Sequence, residues 1–272
     1  MLLCVDVGNS HTVSGVFKGN QLVRRWRLKS DKNRTIDELA IRYYSLFQMA
    51  NLYFDDISGF IVAGVVPTLE TSWLGFAKQY LAIDIHNRSM VVTHETKTGI
   101  KVLIDNPKEV GADRIVNAVA ANDRFHNDLI VIDFGTAITF DCVTRNKEYR
   151  GGVILPGIAI SLDALAMRTA KLPRVDISQA PTRVTGTNTV DAIRSGVLHG
   201  YGGMIDRMVE RLSSELFPDN DSVDIIATGG MGRLIAPYSE SIDITDPLLT
   251  LTGLKLIYER NKEMDLPRGD VM

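Results

Sequence analysis

The chain has 272 residues, of which 45% are hydrophobic and 23% charged, and its formal net charge is −3. That is the profile of a soluble globular protein, one large domain or two modest ones. Its acids and bases are interspersed without the basic excess of phosphate-driven nucleic-acid binders, which excludes nucleic acid as an expected partner. The longest apolar run, residues 60–66, is too short to cross a bilayer, and no charged leader precedes the first strand-like stretch. Cys4 and Cys142 both fall in apolar runs without C-x-x-C spacing, which reads as reduced core thiols in a cytoplasmic protein with no membrane partner.

In chain order, residues 2–7, 12–18 and 21–28 read as three strands, with Gly19-Asn20 at the hairpin between the last two. Thr35 is an N-cap candidate for a helix with Ile36, Leu39, Tyr43, Leu46 and Phe47 at helical spacing. Its neighbouring Met and Tyr positions, within 41–53, read as core or dimer surface. A strand near 59–65, a helix near 68–80 and a weaker strand near 89–92 follow. Pro107 opens a further helix that runs to about Phe125. Strands then fall near 129–134, 137–144 and 148–154, with Asn146-Lys147 at the hairpin. Helices near 160–168 and 189–215, a strand near 223–228 and a helix near 248–261 complete the pattern, and the polar tail from Met264 is expected to fray.

Residues 129–143, "LIVIDFGTAITFDCV", repeat the pattern of residues 2–16, "LLCVDVGNSHTVSGV", 127 positions earlier. Each has four apolar residues, then an aspartate (Asp6, Asp133), one apolar residue and a glycine (Gly8, Gly135), and each then enters a second β-rich run. Asp-x-Gly is common at strand ends, and two unrelated hairpins can share it. Shared strand, turn and hairpin together favour a duplication. The expected architecture is α/β, with halves at 1–122 and 123–272 facing one another across a cleft, each offering an acidic turn.

A carboxylate at a strand end, followed by a glycine, stands beside backbone N–H groups that a Cβ would obstruct. Asn9, Ser10 and Thr12 add donors to the first turn and Thr136 to the second. Such a turn can hold phosphate oxygens while its carboxylate holds Mg²⁺ directly or through water. The chain contains neither G-x-x-x-x-G-K-[ST] nor a strand-to-helix G-x-G-x-x-G, which excludes a Walker site and argues against a dinucleotide fold.

These turns, with Gly229-Gly230 further on, resemble the superfamily of acetate and sugar kinases, Hsc70 chaperones and actin. More narrowly, "NPKEVGADRIVNAVAA", "IDFGTAITFD", "GGVILPGIAISLDAL", "NTVDAIRSG", "ATGG" and "LTGLKLIYERN" resemble type III pantothenate kinases. The resemblance runs from residue 2 to about residue 261. It implies a duplicated ribonuclease H-like (actin-like ATPase) fold of two mixed-sheet halves facing across a nucleotide cleft, with the first phosphate motif in the N-terminal half and the second phosphate and adenosine motifs in the C-terminal half. It also implies ATP-dependent phosphorylation of pantothenate to 4'-phosphopantothenate, the first step towards coenzyme A, by a homodimer that uses Mg²⁺ and potassium or ammonium. Residue by residue, it implies ATP contacts at Asp6, Val7, Gly8, Asn9, Ser10, His11, Thr12 and Val13, with Asp6 the Mg²⁺ partner, and further ATP contacts at Thr136, Gly229 and Gly230. Asp133 matches the monovalent-cation position. Gly111, Ala112, Asp113 and Arg114 match the pantothenate segment, with Asp113 the proton acceptor, and Thr189 matches a further substrate contact.

The residues themselves fit these roles. Asp113 stands early in a helix, where the positive end favours its charged form, and Arg114 can take a carboxylate in a bidentate fork. An acid at that place more commonly does no more than stabilise the helix dipole; the surrounding motif tips the balance to catalysis. Ser10 stands where the family usually has threonine, His11 where it usually has asparagine, and Ile104 before "DNP" where many members carry tyrosine. His86, His94, His126 and His199 lack metal-ligand spacing and read as structural or surface residues. Two other functions compete: another small-molecule kinase of the superfamily, against which "GADR" argues, and a non-catalytic nucleotide-binding regulator, which would not need to keep Asp113.

Overall fold

A computed structural model describes residues 1–81, 83, 88–220 and 222–264. The chain packs as two compact units. The first takes Met1–Ile100, Asp105–Ala120 and the described residues from Thr250, and the second takes Lys101–Ile104 and Ala121–Leu249.

The first unit is built on a mixed sheet of strands β1 (Leu2–Val7), β2 (His11–Lys18), β3 (Gln21–Lys29), β4 (Gly59–Gly64) and β5 (Ser89–Val91), in the order β3-β2-β1-β4-β5. The hairpin strands run antiparallel, and β4 joins β1 in parallel with Asp6 opposite both Val13 and Ala63. Apart from Asp6, strand β1 is apolar because both faces are covered. Leu3, Val5 and Val7 pack with Leu39, Tyr43 and Phe47 of helix α1 (Ile36–Met49) and Trp73 and Phe76 of helix α2 (Pro67–Tyr80). Thr35 caps α1 as its sequence predicts, in a capping box with Glu38. Tyr43 and Phe47 are core residues, whereas Ile41, Tyr44, Met49 and Tyr53 are exposed.

The second sheet holds β6 (Lys101–Val102), β7 (Leu129–Phe134), β8 (Ala137–Val143), β9 (Glu148–Pro156), β10 (Asp224–Gly229) and β11 (Ile244–Thr245), in the order β11-β10-β7-β8-β9-β6. Read from β9, the order is that of the first sheet: an antiparallel meander, then two parallel strands beyond its first member. Helix α3 (Ala112–Arg124) lies between β6 and β7 in sequence. Helices α4 (Ile158–Arg168) and α5 (Thr189–Leu216) follow the second meander, and Ile205 and Leu198 of α5 pack on Ile130, Ile132 and Phe140. After β10 come the short α6 (Gly232–Ile235) and finally α7 (Leu249–Met264).

Three features differ from expectation. The helix expected to run from Pro107 is two elements: a 3-10 turn over Pro107–Glu109, then α3 from Ala112, with Val110 extended between them. The short strands β6 and β11 were not expected. Helix α7 packs with the first unit, where Cys4, Ile61 and Val116 meet its Leu251, Leu254 and Ile257. Both cysteines are buried and neither is in a disulfide, Cys4 in β1 and Cys142 in β8. His94 lies 3.8 Å from Glu95, His126 is exposed, and His199 stands edge-on to Tyr238; His86 and the tail beyond Met264 lie outside the described residues.

Candidate active site

The first acidic turn joins β1 to β2. The Gly8 N–H donates to the His11 carbonyl at 3.1 Å, which closes the turn. Ser30, just past β3, braces it: its hydroxyl donates to the Gly8 carbonyl at 2.6 Å and its N–H to the Ser10 carbonyl at 3.0 Å. The Thr12 hydroxyl lies 3.0 Å from that of Ser30, and Thr12 is buried, so it supports the turn from behind. Val7 is fully buried among the apolar residues of the first unit, and its carbonyl accepts the Val65 N–H. Asn9, Ser10 and His11 are exposed, while Asp6 and Val13 are half-buried.

His11 has a partner that its sequence position does not announce: Arg27 Nη2 lies 3.1 Å from its Nδ1. Partial desolvation, followed by the charges of Arg27 and Lys29, holds the imidazole below its ordinary range. Next to the turn, a hollow of about 510 Å³ is lined by Lys29, Ser30, Lys32, Arg34 and Arg42 among others. Residues 18–42 contain eight Lys and Arg against three Asp and Glu, a local basic excess that the near-neutral whole chain conceals.

Asp113 is the second residue of α3, and its Oδ1 accepts the Arg114 N–H at 2.9 Å. The break after Glu109 places the carboxylate within the first helical turn, closer to the positive end than a helix from Pro107 would. A Cβ at Gly111 would collide with Asp113 Oδ1, so glycine is the residue that leaves the carboxylate its place. Burial pushes the Asp113 carboxyl above its ordinary range, and the Arg114 N–H and charge offset only part of that. The result is a carboxylate more basic than usual, as a proton acceptor requires. Val65, which follows β4, donates to the Val7 carbonyl at 3.1 Å and lies 3.8 Å from the Cβ position of Gly111. One residue thus joins the end of β1 to the start of α3.

In the second unit, Asp133 of β7 stands opposite Thr139 of β8 and Thr228 of β10. The Gly135 N–H donates to the Ala137 carbonyl at 3.0 Å, and Thr136 is exposed at the tip, its carbonyl accepting the Gly157 N–H at 3.1 Å. Gly229 ends β10 with φ +86°, a conformation that side chains disfavour. A Cβ there would lie 2.5 Å from Asp133 Oδ1 and 2.6 Å from the Phe134 backbone. Asp133, Thr136, Gly229 and the exposed Gly230 therefore gather at the ends of β7 and β10. Thr189 belongs to another element, as the exposed first residue of α5, whose N-cap is Asn188. Ile104 lies in the second unit, 3.6 Å from the Cβ position of Gly151.

No group of three or more His, Cys, Asp or Glu able to cage a metal occurs among the described residues. A divalent ion at Asp6 would rest on one carboxylate with waters and phosphate oxygens, an arrangement that suits Mg²⁺. At Asp133 the hard oxygen donor suits an alkali cation rather than a soft metal.

Solved structures share this arrangement. A conserved Baf family protein from Campylobacter jejuni aligns over 96% of this chain and 99% of its own, with a TM-score of 0.61 at 22% identity. Component A of the (R)-2-hydroxyglutaryl-CoA dehydratase of Acidaminococcus fermentans aligns over 95% and 98%, with a TM-score of 0.56 at 15% identity. Likeness at such identities is one of fold alone: the duplicated, actin-like α/β fold. Sequence comparison is narrower. The profile of the type III pantothenate kinases matches residues 2–211. A type III pantothenate kinase of Desulfotalea psychrophila is 49% identical over 97% of this chain and 99% of its own length, and one of Citrifermentans bemidjiense is 46% identical over 96% and 100%. The chain belongs to the type III pantothenate kinase family.

Proposed function

We propose that this chain phosphorylates pantothenate with ATP, the first step of coenzyme A biosynthesis, and that Asp113 is its proton acceptor. The observation that carries the assignment is the carboxylate of Asp113, kept basic by burial at the start of α3 and given its place by Gly111. The pantothenate hydroxyl oxygen attacks the γ-phosphorus of ATP, its proton passes to Asp113, and the bond from the γ-phosphorus to the bridging oxygen breaks to leave ADP. Because phosphoryl transfer goes through a loose transition state, holding the reactants in line matters more than base strength. Arg114, next to the base, takes the pantothenate carboxylate in a bidentate fork. Thr189 supplies a further substrate contact.

The backbone N–H groups of the first turn hold phosphate oxygens, and Asp6 holds the divalent ion. Mg²⁺ at that position offsets phosphate charge when bound. In the second unit, Asp133 holds potassium or ammonium, Thr136 contacts ATP, and Gly229 and Gly230 let backbone approach the adenosine. The active form is a cytoplasmic homodimer. ADP release coupled to a reporter, with pantothenate, Mg²⁺ and potassium present, tests the whole assignment. No release with pantothenate, or equal release with other small alcohols, overturns it.

A further inference from the structure

We infer that Arg27 is a phosphate-binding residue of the first turn, peculiar to this unit, and that His11 positions it. The inference rests on reading that turn as an ATP-phosphate site. In the sheet register Asp6 lies opposite Val13, and Val13 lies opposite Arg27. Residues directly opposite project from the same face. An acid, a small apolar residue and a guanidinium therefore form one row across β1, β2 and β3. The outer two strands of such a row are about 10 Å apart, and the Arg27 guanidinium reaches from β3 across to His11 at the start of β2.

Arg27 is held at this place. Its Nη2 lies 3.1 Å from His11 Nδ1, and His11 is the residue whose carbonyl closes the turn on Gly8. An imidazole that accepts at Nδ1 is neutral and carries its proton on Nε2, in keeping with the downward push on His11 from desolvation, Arg27 and Lys29. Among the described residues Arg27 has no carboxylate partner.

The second unit supplies the control. Its corresponding row is Asp133, Thr139 and Ile154, and Ile154 is 63% exposed. A cation at this place is thus no requirement of the meander. Arginine on an edge strand also discourages sheet extension, which accounts for the charge but not for a histidine that fastens it to the phosphate turn. Phosphate binding accounts for both.

The test compares Arg27→Met, Arg27→Lys and His11→Ala with Asp6→Asn as reference, in steady-state kinetics and in ATP binding measured without pantothenate. Arg27→Met is expected to raise both KM and Kd for ATP by roughly 10- to 100-fold, the loss of a charge-assisted hydrogen bond. KM for pantothenate stays within about twofold, and Arg27→Lys recovers part of the loss. His11→Ala raises KM for ATP by about 3- to 10-fold and adds nothing once Arg27 is Met, which marks it as a positioning residue. If Arg27→Met unfolds, Arg27→Lys and His11→Ala decide by the same readouts. Unchanged ATP parameters in the Arg27 variants, with Asp6→Asn still impaired, overturn the role of Arg27 and leave the turn as the phosphate site. Unchanged ATP parameters in all variants overturn both.

Discussion

The two units share a strand order, a glycine turn after the first strand and an aspartate two residues before that glycine, yet they finish the turn differently. In the first, Ser30 braces the loop from behind, Thr12 is spent on the same brace, and a basic hollow lies alongside. In the second, the loop is one residue shorter, Gly157 supports its tip through the Thr136 carbonyl, and Gly229 closes on Asp133 without a side chain. Within β8, the Thr139 hydroxyl is committed to Asp141 at 3.0 Å, where the first unit has Val13 and then Arg27. The meander sets where the carboxylate stands, and residues from other strands decide what it can hold. Duplication supplied two frames, and their outer strands made them unlike.

The sharpest break of the comparison is at Asp113, which belongs to the first unit. Asp113→Asn removes the base and is expected to lower kcat by ~10²–10⁴-fold with ATP binding nearly unchanged. It should also melt higher at neutral pH. A carboxyl whose folded pKa is raised gives its full stability below its unfolded value and loses it as pH rises through the folded one, so the charged form weakens the fold at pH 7. Calorimetry of both proteins at pH 7 checks this: an unchanged or lower melting temperature contradicts it.

Next in size is an exchange of cation phenotypes. Asp6→Asn should raise the Mg²⁺ needed for half activity, and Asp133→Asn the potassium needed, each by roughly tenfold or more, with the other ion's dependence close to wild type. Wild-type rate should be small in sodium and restored by potassium or ammonium. Titrations of rate against each ion at saturating levels of the other settle the pair; a wild type indifferent to potassium would make Asp133 a second magnesium ligand.

Much of this contrast is legible in the sequence, because strands with alternating or continuous apolar runs leave a strong period and the repeated Asp-x-Gly fixes where they end. The break before α3 is not. Pro107 followed by helical spacing reads as one helix, while the extended Val110 and the room that Asp113 needs at Gly111 are tertiary facts. Strands of two residues such as β6 and β11 carry no period at all. Nor does a lone serine after a strand, which is why the Ser30 brace escapes notice. The basic excess of residues 18–42 was open to inspection but was diluted in whole-chain charge.

Gly229→Ala places a Cβ against Asp133 and Phe134 at a φ of +86°, and should cost about 1–3 kcal/mol along with a higher potassium requirement. Urea unfolding reads the first and the potassium titration the second; full stability would mean that β10 yields more easily than its packing implies. The smallest effect is expected at Ser30→Ala. Loss of the hydroxyl that bonds Gly8 should cost about 1 kcal/mol and raise KM for ATP a few-fold, while the second turn and its potassium response stay as they are. An equal change in potassium response would show that the two turns are coupled through Ser30.

The buried thiols have a practical consequence. Cys4 lies in the central strand of the first unit and Cys142 in the second meander, each fully enclosed, and burial pushes the Cys4 thiol well up. A thiol reacts as its exposed anion, so neither can be alkylated until its own strand opens. Each unit thus carries a built-in clock of its local unfolding. Mass spectrometry of the wild-type chain during slow alkylation can time the two openings separately, without any engineered label.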